Sequence, residues 1–302
     1  VIPWAGPLDL GGAAPVQVQV ASVDIGLLYL LGVGALSVYG VVLAGWASNN
    51  KYAFYGGMRA AAQMLSYEVP MGLAILVVVA TTGCLRLEDM VAGPTGQIAA
   101  AWNLLLHPLA FLIFLVTVFA ETNRTPFDLA ECEQELIGGY QTEYSSMKFS
   151  LFFLGEYTHV ITASAFTAVM FLGGWEPFPF SRRLGWAWLD WLNGDPSPAA
   201  AGLRFAITLA KTAGIVFLFI LVRWTLPRFR FDQLMGLCWR GLVPAGLALA
   251  CWAGLLLWLG RPQSLWAPLG DVAVAAAALG WTAWRDRPGA AGRVNLPPVE
   301  AT

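Results

Sequence analysis

Charge is scarce in this 302-residue chain. Asp, Glu, Lys and Arg make up 12% of it, about half the share usual in soluble domains. There are two histidines and four cysteines. The cysteines (Cys84, Cys132, Cys238, Cys251) are scattered, with no Cys-x-x-Cys and no nearby His pair, which argues against metal or iron-sulfur ligation by this chain alone. Cys84, Cys238 and Cys251 sit in or beside apolar runs, where a buried thiol is usually inert filler. No Gly-x-Gly-x-x-Gly joins a strand to a helix pattern and no Gly-Lys-Ser/Thr loop occurs, so no nucleotide site is legible. The opening VIPWAGP lacks Met, a basic segment and a cleavage site; it is no signal peptide and reads as the tail of something earlier. No internal repeat stands out, which removes the support an inverted-repeat transporter needs.

What is present is apolar. The hydrophobic fraction is 58% and the mean hydropathy +0.63. Fourteen tryptophans and eight tyrosines suit a chain with many membrane-water interfaces. Runs that can cross the bilayer need about 20 residues. They lie near 24–47, 60–83, 103–120, 148–174, 205–225, 238–259 and 265–284. The fold class expected is therefore all-α: a polytopic membrane bundle of about six or seven helices over residues 1–284, followed by a loose tail, 285–302. Turn-rich or polar links are expected at 48–59, 84–102, 121–147, 175–204, 226–237 and 260–264. Lys and Arg number eleven on the side holding 48–59, 121–147, 226–237 and the tail, against five on the other. The positive-inside rule then puts the 121–147 loop and the C-terminus in the cytoplasm.

That loop concentrates the acid. Glu121, Asp128, Glu131, Glu133, Glu135 and Glu143 fall between two apolar spans, in a chain with nineteen Asp and Glu in all. Thr125-Pro126-Phe127-Asp128 has the form of a helix start, with Thr125 as cap and Pro126 at the first position. A helix from Pro126 to about Ile137 would align Asp128, Glu131 and Glu135 on one face, with Glu133 pointing elsewhere. Carboxylates so close share protons and can exchange them when a nearby charge changes. A solvated acidic loop is the plain alternative. The interleaved Phe127, Leu129, Leu136, Ile137, Tyr140 and Tyr144 favour a structured one.

Ionisable residues also lie within the spans, where they usually mark an ion or proton path. Glu68 has Pro70 two residues on, which frees the Ser66 carbonyl beside it. Glu156 and His159 stand one turn apart, as a proton path or as a structural pair satisfying each other. Lys211 reads as snorkelling to the interface. Arg59 and Gln63 lie one turn apart on the helix of Glu68. The segment VRWTLPRFRFDQLM brings Arg228, Arg230 and Asp232 among aromatics, as a docking loop or as ordinary positive-inside charge.

Three stretches taken together, GWASNNKY…RAAAQMLSYEVP, AETNRTPFDLAECEQELIGGYQTEYSSMKF and TLPRFRFDQLM, closely resemble the H-type membrane-subunit family of the bacterial proton-pumping NADH:quinone oxidoreductase, respiratory complex I, from about Ile2 to about Pro244. The resemblance implies a multi-pass protein of the bacterial inner membrane at the junction with the electron-transfer arm. It would help form a quinone chamber and a chain of acids leading from it. By motif match, Glu68, Glu121, Asp128, Glu131, Glu133, Glu135, Glu143 and Glu156 would be those acids. Arg59, Gln63 and Phe127 would lie near the chamber, and the loop with Arg228, Arg230 and Asp232 would support the junction. Quinone would be the substrate, with iron-sulfur clusters and flavin held by partner subunits of the peripheral arm; membrane-arm subunits and lipid would be further partners, and nucleic acid none. The homologous subunit of a membrane-bound hydrogenase or formate hydrogenlyase is the alternative, and a stand-alone ion transporter or scaffold a third.

The chain departs from the family's pattern in four ways. It begins where the family's second transmembrane helix ends, which implies a fragment, a misassigned start or a contribution from another chain. Ala130, Cys132 and Gln134 stand where Pro, Ala and Ser are expected. The 175–204 loop is long, and the span after about 260 has no counterpart in the pattern.

Overall fold

A computed structural model describes residues 1–9, 16–92, 102–128, 138–178, 191–192, 195–260 and 266–285. The helices are α1 (Gly26–Ala35), α2 (Ser37–Ala47), α3 (Lys51–Thr82), α4 (Leu87–Ala92), α5 (Asn103–Leu106), α6 (Pro108–Glu121), α7 (Ser146–Phe171), α8 (Pro198–Thr225), α9 (Phe231–Leu237), α10 (Val243–Trp258) and α11 (Trp266–Arg285). A π-helical turn, Cys238–Leu242, joins α9 to α10. Among the described residues, four stretches are long and apolar enough to cross a membrane: Gly26–Ala47, Lys51–Thr82, Pro198–Thr225 and Phe231–Trp258. This is an all-α polytopic bundle. The one addition among the described residues is a small antiparallel ribbon, β1 (Ala5–Leu8) with β2 (Val16–Val18), which hydropathy alone does not announce. Buried Arg204 on α8 ties the ribbon down, donating to the carbonyls of Pro7, Leu192 and Asp195.

The bundle is built around α3, which packs against α2, α6 and α10. Its start corrects the expected 48–59 link. Helix begins at Lys51, where the Asn50 side chain caps the chain by accepting from Tyr52 N at 3.0 Å. Gly56 and Gly57, which read as turn residues, are packing sites inside this helix. A Cβ on Gly45 of α2 would lie 2.9 Å from the Ala53 carbonyl oxygen and 3.3 Å from Gly57 Cα. Small residues allow the two backbones to meet, as membrane helices commonly do. Gly83, at φ 72°, ends α3, its N–H returning to Val79 O. Aromatic contacts join the neighbours: Phe119 on α6 stacks on Phe219 of α8 with centroids 4.0 Å apart, and Phe114 meets Phe171 of α7 at 5.0 Å.

Pro70 does leave the Ser66 carbonyl without its helical donor, and the structure fills the vacancy. The Cys238 thiol, fully buried at the π-helical turn, donates to Ser66 O at 3.0 Å. One residue on, Tyr67 Oη donates to Leu234 O at 2.9 Å. Cys238 is thus more than filler, because it satisfies a carbonyl that hydrocarbon could not. Replacing Cys238 by Ala is expected to destabilise the protein by about 1 kcal/mol, the scale of a buried acceptor left unmet. Cys238→Ser, which keeps a donor, should lose less, as thermal melts of the two variants in detergent will report.

Lys211, half-way along α8, finds its partners in backbone carbonyls. Its ammonium donates to Leu172 O at 2.6 Å, to Gly174 O at 2.9 Å and to Glu176 O. A cation on the carbonyl end of α7 is favoured by the helix dipole. Residues 286–302, and with them most of the expected loose tail, lie outside the described residues.

Candidate functional site

The start of the acidic loop is set by a glutamine. Gln63 on α3 is buried, and its side-chain nitrogen donates to Ala120 O at 2.8 Å, Phe127 O at 2.9 Å and Asn123 Oδ1 at 3.2 Å. Those acceptors hold residues 122–127 in successive turns, with Asn123 at φ 49° and the Phe127 N–H returned to Arg124 O. The helix expected to begin at Pro126 therefore does not begin there. A local capping pattern lost to a tertiary clamp that takes the Phe127 carbonyl a helix would have needed. Glu131, Glu133 and Glu135, and the helical face proposed for them, lie outside the described residues.

Past the turn, four elements converge on two carboxylates. Glu121 ends α6, and Glu68 of α3 lies within Coulomb range of it. His159 of α7 presents Nε2 to Glu121 Oε1 at 3.7 Å. Glu156, one turn away on α7, faces a different set. Its Oε1 accepts from Tyr140 Oη and Gln141 Nε2, both at 3.2 Å, and its Oε2 lies 3.3 Å from the Arg124 guanidinium. Glu156 and His159 therefore do not satisfy each other. Three residues apart on a helix they diverge by about 60°, so each takes its partner from a neighbouring element. Arg124 also lies over the Tyr157 ring, 4.5 Å from its centroid, which holds it beside Glu156.

Tyr140 and Gln141 reach Glu156 because a short 3-10 turn, Gly139–Gln141, lies flat on α3. A Cβ on Gly56 would come within 2.7 Å of Gly139 Cα and 2.9 Å of Tyr140 N. Between these groups is a cavity of about 280 Å³ bordered by Glu121, Asn123, Tyr140, Glu156 and His159. That volume has room for several waters, and its walls carry the polar partners they need. A second, mostly apolar cavity of about 310 Å³ adjoins it, running between α1, α6 and α7 to Phe166 and sharing Glu121 and His159. Polar groups so arranged can pass protons from one to the next.

A model of the NADH dehydrogenase family matches residues 1–254. The chain is 47% identical over 264 residues to the NADH-quinone oxidoreductase H subunit of Leptospira biflexa, covering 84% of this chain and 70% of the relative. It is 44% identical over 260 residues to the H subunit of Flavobacterium psychrophilum, covering 86% and 72%. To NADH-quinone oxidoreductase subunit 8 of Rhodothermus marinus it is 48% identical over 238 residues, covering 76% and 67%. The chain belongs to the NADH dehydrogenase family. The match ends within α10, and α11 lies past it.

The other residues singled out from sequence fall around these cavities at different distances. Asp128 pairs with Arg228, Oδ2 to NH2 at 3.1 Å, joining the acidic loop to the loop before α9 across 100 residues of sequence. Its Oδ1 is buried with no hydrogen-bond partner among the described residues. Burial outweighs the nearby Arg228 guanidinium and pushes the Asp128 carboxyl up to about 6, with Glu156 adding in the same direction. Phe127 is buried between Tyr67 and Phe229, with centroids at 5.9 and 5.7 Å. Phe229 N donates to Pro126 O at 3.3 Å, so backbone and rings reinforce the ion pair. Arg59 lies 5.6 Å from the Phe231 ring centroid. Arg230 is the N-cap of α9, its N–H donating to Gln233 Oε1 at 3.2 Å, and Asp232 lies in the first turn, where a negative charge suits the dipole. Gln63 and Phe127 are packed in the turn and line neither cavity. Glu143 stands apart, exposed, accepting from Asn50 Nδ2 at 2.6 Å on the rim of a surface pocket with Lys148.

Sequence pattern does not announce Arg124, Gln141 and Asn123 as participants. Arg124 is the one with a legible signal, as the single cation within the acidic run. Among the described residues no group of three His, Cys, Asp or Glu side chains gathers as metal ligands would.

Proposed function

We propose that the chain is a membrane subunit of a proton-translocating NADH:quinone oxidoreductase and that its buried carboxylates couple quinone reduction to proton movement. The observation that carries this reading is the cavity on which the side chains of Glu121, His159, Glu156 and Tyr140 converge. It supports a relay in which Asp128 and Arg228 receive a charge change at the loop, the Arg124–Glu156 group answers it, and Glu121 with His159 and Glu68 extends it between the spans. Arg59, Gln63 and Phe127 then serve the quinone chamber from behind, by fixing the turn and the α9 loop. The positive-inside bias supports a cytoplasmic acidic loop and C-terminus in the bacterial inner membrane. Quinone is the substrate, and clusters and flavin belong to partner subunits. The relatives carry quinone-oxidoreductase names, and no observation favours the hydrogenase reading.

The test is Glu68→Gln and Asp128→Asn in assembled enzyme, with quinone reductase rate and proton pumping measured together. Both are expected to fall, and unchanged values for both variants would refute the assignment. Asp128 adds a pH signature. Its carboxyl is raised from the ordinary range to about 6, so ionising it costs the fold. That cost is absent below the ordinary carboxylate range and complete above about 6. The Arg228 pair also forms as pH rises through that window. Asp128→Asn should flatten whatever change in rate the unmodified enzyme shows near pH 6.

A further inference from the structure

The chain has two histidines, and each faces a carboxylate at an end of α6. His159 meets Glu121 at the last residue. His107 stands immediately before Pro108, and its Nδ1 lies 3.4 Å from Asp271 Oδ1 on α11. The side chains of His107 and Asp271 are 0% and 1% exposed. Their other polar atoms, His107 Nε2 and Asp271 Oδ2, are buried without a hydrogen-bond partner among the described residues, and so is Trp252 Nε1 of α10. The indole lies directly on Gly270, where a Cβ would come within 1.9 Å of that nitrogen. Polar atoms buried among membrane helices are normally satisfied. Two unmet atoms in the pair, with a third on the indole beside it, leave hydrogen-bonding capacity that a merely structural contact does not need.

We propose that His107 and Asp271 together hold an exchangeable proton at the end of α6 opposite Glu121, a second proton-binding site in this chain. With neutral imidazole and ionised carboxylate the pair carries one negative charge. One added proton makes it net neutral, whether the proton resides on nitrogen or oxygen. The proton enters or leaves through Nε2 or Oδ2, and no bond other than N–H or O–H is made or broken. The surrounding elements supply little to compete. Asn103 of α5 is bonded to Met170 O at 2.7 Å. Cys251 of α10 is exposed. Lys211, 4.7 Å from the Trp102 ring centroid, is committed to backbone carbonyls, and the next acid along α6 is Glu121 itself. α6 has 14 residues, so at about 1.5 Å each the two histidine pairs stand roughly 20 Å apart along it.

The inference rests on the proton role proposed above, and its test separates the two. Asp271→Asn and the double variant His107→Leu/Asp271→Leu are to be measured in assembled enzyme in sealed vesicles, beside Glu121→Gln. The double variant replaces a buried pair by apolar bulk, a change that folds commonly tolerate. The expected result is a reductase rate close to that of unmodified enzyme, with protons pumped per electron about halved and the pH profile of pumping altered in both. Wild-type pumping and pH profile in either variant, while Glu121→Gln loses pumping, would overturn the second site and leave the first intact. Failure of both variants to assemble would make the pair a structural strut and also overturn it.

Discussion

Gly56→Val is expected to abolish coupling without touching an ionisable group. Even a Cβ at this position would stand 2.7 Å from Gly139 Cα and 2.9 Å from Tyr140 N, both backbone atoms. No rotamer relieves such a contact, so the 3-10 turn must lift away from α3. Overpacking of this kind costs about 1–3 kcal/mol, and here the loss falls on one place. Tyr140 and Gln141 leave Glu156 with Arg124 alone and open the cavity to the loop. Assembly should survive, since α3 keeps its contacts with α6 and α10. Proton pumping should fall at least tenfold, a shift of roughly 1.4 kcal/mol in the coupled step. The paired measurement is quinone reductase rate against pumping in vesicles. Gly57→Ala is the contrast: its Cβ meets the Val41 carbonyl at 3.2 Å. It should disturb the α2–α3 contact while leaving Glu156 with its donors.

The second large effect is expected from Glu121→Gln. Glu121 borders both cavities and faces His159 at 3.7 Å. Gln has nearly the same shape, so packing is preserved and only the exchangeable proton is removed. Positioned proton-transfer groups typically contribute about 10²–10⁴-fold, so pumping should drop by about two orders of magnitude or more. Glu143→Gln is the matched control. Glu143 is exposed and held by Asn50 away from both cavities, and its replacement should leave pumping near normal. Equal losses in the two variants would mean that acidity of the loop matters and the cavity does not.

The spans were legible because the bilayer imposes a length that hydropathy records directly; Gly26–Ala47 and Phe231–Trp258 both overlap the expected runs. The boundaries were less so. The glycines before Arg59 have the sequence of a turn, and what makes them helical is the close approach of α2 and of Gly139, the latter distant in sequence. The site divided in the same way. That Glu156 and Glu68 are unusual acids follows from their apolar surroundings in sequence, and that Asp128 is one follows from the crowding of carboxylates after it. That Asp128 belongs with Arg228, and His159 with Glu121 in preference to Glu156, depends on contacts across 100 and 38 residues that no periodicity encodes. The capping pattern at Thr125-Pro126 failed for a related reason. Its rival, Gln63, lies 62 residues earlier than Thr125 and takes the Phe127 carbonyl.

The thiol that completes α3 beside Pro70 also gives the protein a built-in reporter. Cys238 is 0% exposed and bonded to Ser66 O, so an alkylating reagent reaches it only while α9 is lifted from α3. Cys84, half-buried just past the end of α3, provides the internal reference for reagent access. The ratio of labelling rates therefore measures how often the α3–α9 seam opens. Timed alkylation during turnover and at rest would show whether that seam breathes with quinone reduction.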